Sequence, residues 1–160
     1  MQITDVTSND LDEVLRLNED SVPHVSDIDL PQMEWFASNA HYFRVARRQG
    51  KLAGFLIGLR PGLPYASPNY RWFIENYSDF GYVDRVAVAA TARRMRVASR
   101  LYQDFAEFLT GEVEIMTCEV NIRPPNESSM RYHEQQGFVR VATQETEGGK
   151  KEVALLEKRL

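Results

Sequence analysis

The run Tyr82-Val83-Asp84-Arg85-Val86-Ala87-Val88 alternates as a strand does. Helical spacing then takes over at Val97, Leu101, Phe105 and Phe108, and a second strand-like run follows from Val113 to Val120. Strand, helix and strand in that order bring two strands side by side in parallel, with the helix as crossover. Few architectures accept such a unit, and what flanks it narrows them further. Upstream, Gln2 to Val6 reads as a short strand, and Ser8 or Asn9 caps a helix with Leu11, Val14, Leu15 and Asn18 on one face. Asp29-Leu30-Pro31 opens a second helix whose apolar contacts come from Met33, Trp35, Phe36 and Ala40. Tyr42 to Arg47 and Leu52 to Leu59 form a hairpin across Gln49-Gly50-Lys51. Downstream, Pro124-Pro125-Asn126 opens a helix from Glu127 to Gln135 that ends at Gly137. Phe138 to Thr143 and Lys151 to Glu157 close the chain as a strand pair. The expected class is α/β, a mixed sheet with a parallel crossover in the middle and antiparallel pairs outside.

Residues 60–80 break the pattern. Pro61, Gly62, Pro64, Ser67, Pro68 and Asn69 read as a loop, with Tyr65, Tyr70, Trp72, Phe73, Tyr77 and Phe80 crowded into it and just beyond. Two readings stand: a hydrophobic flap or short helix packed on the sheet, or a lid whose aromatic faces line a ligand site.

Composition excludes several classes. At 160 residues the chain buries roughly 70% of its unfolded surface, enough for a core without disulfides or metal. No linker or repeat divides it, so a single domain over residues 1–160 is expected. With 43% hydrophobic and 26% charged residues it is neither disordered nor fibrous. Its net charge of −4 does not suit a nucleic-acid binder. One cysteine, Cys118, rules out an internal disulfide and fits a reducing, cytoplasmic compartment. No apolar run approaches the ~20 residues of a membrane span. His24, His41 and His133 have no ligand-like spacing, so no metal is expected.

Against that acidic background, Arg93, Arg94, Arg96 and Arg100 gather where a strand hands over to a helix. A helix start carries partial positive charge, so cations there oppose the dipole. A solvated charged face is the plain reading. A bound phosphate or pyrophosphate explains the placement better, because free N–H groups at a helix start favour an anion.

Two stretches resemble the motifs of the GNAT superfamily of N-acetyltransferases. Val88 to Ala98 is similar to motif A, a strand ending in Val followed by Arg/Gln-x-x-Gly-x-Gly/Ala at a helix start. Arg93 matches the first position and Ala98 the last, while Arg96 replaces the usual Gly. Asn126 to Phe138 resembles motif B, with Asn126, Gly137 and Phe138 in place and Ser129 for a small Ala. Tyr132 fills the apolar-aromatic position and His133 stands where a tyrosine is usual. Ser67 to Phe73 and Cys118 to Asn121 look like marks of a narrower branch of predicted acetyltransferases, which brings no substrate with it.

The resemblance implies the GNAT fold: about seven strands, about four flanking helices, and strands splayed at a coenzyme A site. It implies acetyl-CoA as co-substrate and an amine, on a small molecule or a protein, as acceptor; it allows a homodimer. Backbone groups of Val86, Ala87 and Val88 would pair with pantetheine amides. Backbone N–H groups of Arg94, Met95, Arg96, Val97, Ala98 and Ser99, with the Arg93 side chain, would hold the pyrophosphate. Asn126, Ser129 and His133 would lie beside the pantetheine arm. Cys118-Glu119-Val120 resembles a Leu-Glu-Val strand of N-terminal acetylases, which makes Glu119 the first candidate for the base and Asp84 the second. Either could instead be paired with an arginine such as Arg85 or Arg123. His133 is the candidate acid for the departing thiolate, with Tyr132 as fallback. Asn18, Glu19 and His24, with Tyr70, Trp72 and Asn121, would form the acceptor side. The alternative is a non-catalytic acyl-CoA-binding or sensing module, suggested by Arg96 and His133 where the family has Gly and Tyr.

Overall fold

The computed structural model describes residues 1–160. Its strands are β1 (Gln2–Asp5), β2 (Tyr42–Arg48), β3 (Lys51–Leu59), β4 (Gly81–Val88), β5 (Ile115–Arg123), β6 (Val139–Thr146) and β7 (Lys151–Arg159). Its helices are α1 (Leu11–Asp20), α2 (Leu30–Asn39), α3 (Pro68–Asn76), α4 (Val97–Leu109) and α5 (Glu127–Gln135). The strands form one mixed sheet in the order β1-β2-β3-β4-β5-β7-β6. The helices number five rather than about four, and the extra one is α3. The run of Pro and Gly around it reads as loop, yet Ser67 caps it, Pro68 occupies its first turn, and Tyr70 and Phe73 are buried on one side.

The chain packs as two compact units, Met1–Leu59 with Arg85–Phe108, and Arg60–Asp84 with Leu109–Leu160.

In the first unit β1, β2 and β3 are antiparallel neighbours. The β2–β3 turn places Gln49 (φ 51°) and Gly50 (φ 75°) in the left-handed region, as a two-residue hairpin demands. Asp29 and Gln32 cap α2 reciprocally, each side chain accepting the other's backbone N–H at 2.9 Å. Leu11, Val14 and Leu17 of α1 and Met33 and Phe36 of α2 supply core side chains, and Leu15 is only half-buried. Gly54 sets a close approach: a Cβ there would lie 2.7 Å from the Ala87 carbonyl oxygen and 2.9 Å from Val97 Cγ1. This glycine therefore lets the end of β4 and the first residue of α4 sit hard against β3.

In the second unit β4 starts parallel to β5, with register pairs Gly81–Met116 and Tyr82–Thr117. The ladder is two pairs long, although β4 continues to Val88 and β5 to Arg123. Beyond it β5 pairs antiparallel with β7, and β7 with β6. Of the two readings of residues 60–80, the short helix packed on the sheet is the one the structure shows, and its aromatics belong to the core of this unit. Tyr70, Phe73, Phe80 and Tyr82 are essentially inaccessible, with ring centroids between 5.6 and 6.3 Å apart. No helix of the chain is long and apolar enough to cross a membrane.

Candidate functional site

In the first unit, Ala90–Ala92 makes one tight turn after β4, and α4 begins at Val97. Ala92 and Val97 are buried, which anchors the intervening turn at both ends and leaves Arg93, Arg94, Met95 and Arg96 exposed. Arg94 (φ 63°) and Arg96 (φ 58°) adopt left-handed backbone. Thus Arg96 takes the conformation for which glycine is the usual choice. The first bond of the helical pattern runs from Arg100 N–H to the Arg96 carbonyl, so the N–H groups of Val97 and Ala98 precede the ladder.

Some arginines of the unit are held in ion pairs and others are not. Arg44 pairs with Asp5 and Asp104, and Arg47 with Asp10 and Glu13, each at 2.7–2.9 Å. Arg93, Arg94, Arg96 and Arg100 are exposed and pair with no carboxylate. A cluster of unpaired cations at a helix start favours an anion.

Also in this unit, Asn18 is fully buried, hydrogen-bonded to Arg85 and to the Ser26 carbonyl at 3.1 Å each. Its side chain braces the α1–α2 connection, while Glu19 and His24 are exposed. Of the expected pantetheine partners, Ala87 is buried and Val86 and Val88 are half-buried.

In the second unit, the Tyr82 hydroxyl donates to Glu119 Oε2 at 2.7 Å. Burial and the nearby carboxylates of Glu119 and Asp84 hold the phenol well above its ordinary range, so it stays protonated. Both candidate bases thus act on one phenol that sequence reasoning passed over. Its only signal was position: Tyr82 stands two residues before Asp84, on the same face of β4. Arg123, a suggested partner for Glu119, is engaged by Glu145 and Glu152. Tyr70 is buried, its hydroxyl donating to the Arg60 carbonyl and accepting from Leu63 N–H, and Trp72 is half-buried.

On α5, Asn126 caps its own helix by accepting from Ser129 N–H at 3.3 Å, and its N–H donates to the Asn121 carbonyl. Asn121 and Ser129 are half-buried. His133 is 4% exposed, its Nδ1–H donating to the Ser129 carbonyl at 2.7 Å, and Ser129 Oγ lies 3.3 Å from the same nitrogen. Burial lowers its pKa, so the ring is neutral at pH 7. Tyr132, edge-on to it, is half-exposed. No three His, Cys, Asp or Glu side chains gather as a metal-binding group.

A model of the acetyltransferase (GNAT) family matches residues 11–138, a span that takes in both motif stretches. No curated protein sequence matches. Among solved structures, Ard1 from Thermoplasma volcanium superposes with a TM-score of 0.81 at 17% identity, over 99% of this chain and 97% of that one. The ribosomal-protein-alanine N-acetyltransferase from Brucella melitensis gives 0.75 at 20% identity over the whole of both chains. Chaetomium thermophilum Naa20, solved with a bisubstrate analogue, gives 0.77 at 17% identity over 100% and 87%. At these identities the likeness is one of fold.

Proposed function

This chain belongs to the acetyltransferase (GNAT) family, and on that premise we propose that it transfers the acetyl group of acetyl-CoA to a primary amine by direct attack. The observation that carries the donor assignment is the set of four unpaired arginines around a left-handed turn at the start of α4. Acetyl-CoA supplies the activated thioester. Arg93, Arg94 and Arg96 neutralise its phosphates, and the N–H groups of Val97 and Ala98 donate hydrogen bonds to the pyrophosphate oxygens.

Glu119 takes the proton that the amine must lose as its bond to the acetyl carbon forms. The departing sulfur needs a proton in return. His133 stands at the family's tyrosine position, but its ring is buried and neutral, with Nδ1–H donated to its own helix. The half-exposed Tyr132 is therefore the better donor in this chain. Names of the solved neighbours include protein amines among their acceptors, and a protein or small-molecule amine suits this chain. The reading treats residues 1–160 as one catalytic domain of the cytoplasm.

A second reading, an acyl-CoA-binding module without efficient chemistry, draws on the burial of His133. Calorimetry with CoA and acetyl-CoA, together with thiol release over a panel of peptide and small-molecule amines, separates the two. Binding with thiol release is expected. Binding without release, for any amine, favours the module; no binding at millimolar CoA removes both. Arg93→Ala with Arg96→Ala is expected to weaken CoA binding about tenfold or more, and less so at high salt, with folding intact.

A further inference from the structure

Strand alternation puts Tyr82 and Asp84 on one face of β4, and the register pair Tyr82–Thr117 puts Thr117 and Glu119 on the same face of β5. Over that face lie Tyr70 and Phe73, whose rings stand 5.6 and 5.7 Å from the ring of Tyr82. Tyr82 is fully buried, so its hydroxyl must find a partner within the protein. That partner is Glu119 Oε2. A strand glutamate has three side-chain torsions, and a charge-assisted bond to one oxygen narrows the set of orientations its carboxylate adopts.

We propose that Tyr82 is a positioning residue for the acceptor reaction: it holds the Glu119 carboxylate in the orientation from which Glu119 takes the amine proton. The proposal rests on the reading of Glu119 as base. The phenol is not itself the base, because its proton is retained by burial and by the two carboxylates that face it, with Tyr65 adding to the same effect and Tyr70 packed against the ring. The ring packs the core, and the oxygen alone serves Glu119.

Tyr82→Phe separates these roles, since it keeps the ring and removes the oxygen. With an amine from the panel, kcat is expected to fall about tenfold or more, with the acetyl-CoA Kd and the amine KM within about twofold. In a Glu119→Gln background the same change should do nothing further, because the group it positions is gone. Equal losses in both backgrounds would make Tyr82 structural and overturn the proposal, as would full activity of Tyr82→Phe. Raman spectroscopy of the tyrosine doublet gives a second measurement that needs neither turnover nor the Phe variant. Wild type minus Glu119→Gln should show the loss of one strongly donating phenol; no difference overturns the proposal. A wild type that binds acetyl-CoA yet acetylates no amine overturns the transfer reading itself and this proposal with it. Lost coupling in an active wild type overturns this proposal alone.

Discussion

Arg85 holds Ser26 by two bonds, Nη1 to the carbonyl oxygen at 3.0 Å and Nη2 to the hydroxyl at 2.9 Å. Asn18 completes the arrangement, accepting from the same Nη1 and donating to the same carbonyl, and the guanidinium lies 5.3 Å from the centroid of the Phe36 ring. A strand residue thereby fixes the connection between α1 and α2, the segment that carries His24.

Asn18→Ala removes one acceptor from a buried cation and one donor from the Ser26 carbonyl. Urea unfolding is expected to show a loss of about 1–3 kcal/mol. Glu19→Ala, one residue along and exposed, should stay within about 0.5 kcal/mol of wild type. Equal effects at the two positions would mean that the buried network contributes nothing.

Arg96 holds a left-handed backbone at φ 58°, a conformation that costs a residue with a Cβ about 1–2 kcal/mol. Arg96→Gly removes that strain but loosens the unfolded chain, for a net gain of up to about 1 kcal/mol. Arg96→Ala retains the Cβ and should show no such gain. Denaturation midpoints of the two variants, measured side by side, decide it.

His133 carries a lowered pKa, from an ordinary 6.5, because burial disfavours its charged form. The unfolded chain therefore binds a proton that the native state refuses, over the window from about 6.5 down to the lowered native value. Its contribution to stability is full above 6.5 and declines as pH falls through that window. His133→Phe removes this dependence, so the stability of wild type relative to the variant should drop on acidification. A difference independent of pH between 7.5 and 5 would show that the ring protonates freely in the native state.

Gly54→Ala would drive a methyl into the Ala87 carbonyl and Val97 Cγ1. Backbone cannot rotate aside as a side chain can, so a loss of about 1–3 kcal/mol is expected. Since Val97 begins α4, CoA affinity should fall as well, read by calorimetry on the folded variant. An unchanged melting temperature with unchanged affinity would mean that β3 and β4 have slack at this point.

Much of the fold was legible because its signals are local. The boundaries of α4 and α5, the Asp29 cap of α2 and the turn at Gln49-Gly50 each depend on residues within a few positions of one another. The resemblance of residues 88–98 and 126–138 to the two motifs falls within the span that the family model matches. Helix α3 was harder to read, since its cap Ser67 and its Pro68 lie inside a stretch dense in loop-forming residues, and burial of Tyr70 and Phe73 is what stabilises it.

The amino-acid sequence by itself determined the order and kind of the elements outside residues 60–80, the arginine cluster at the start of α4, and the family. Periodicity, capping and motif spacing act over a turn or a strand, and the chain carries them wherever it folds. Only the tertiary structure decided that Asn18 is a brace for Arg85, that His133 is buried and neutral, and that Glu119 receives a hydrogen bond from Tyr82. Asn18 and Arg85 stand 67 residues apart along the chain, and Tyr82 and Glu119 stand 37 apart. What joins such residues is strand register and the exclusion of water around them, and both exist only once the sheet has formed.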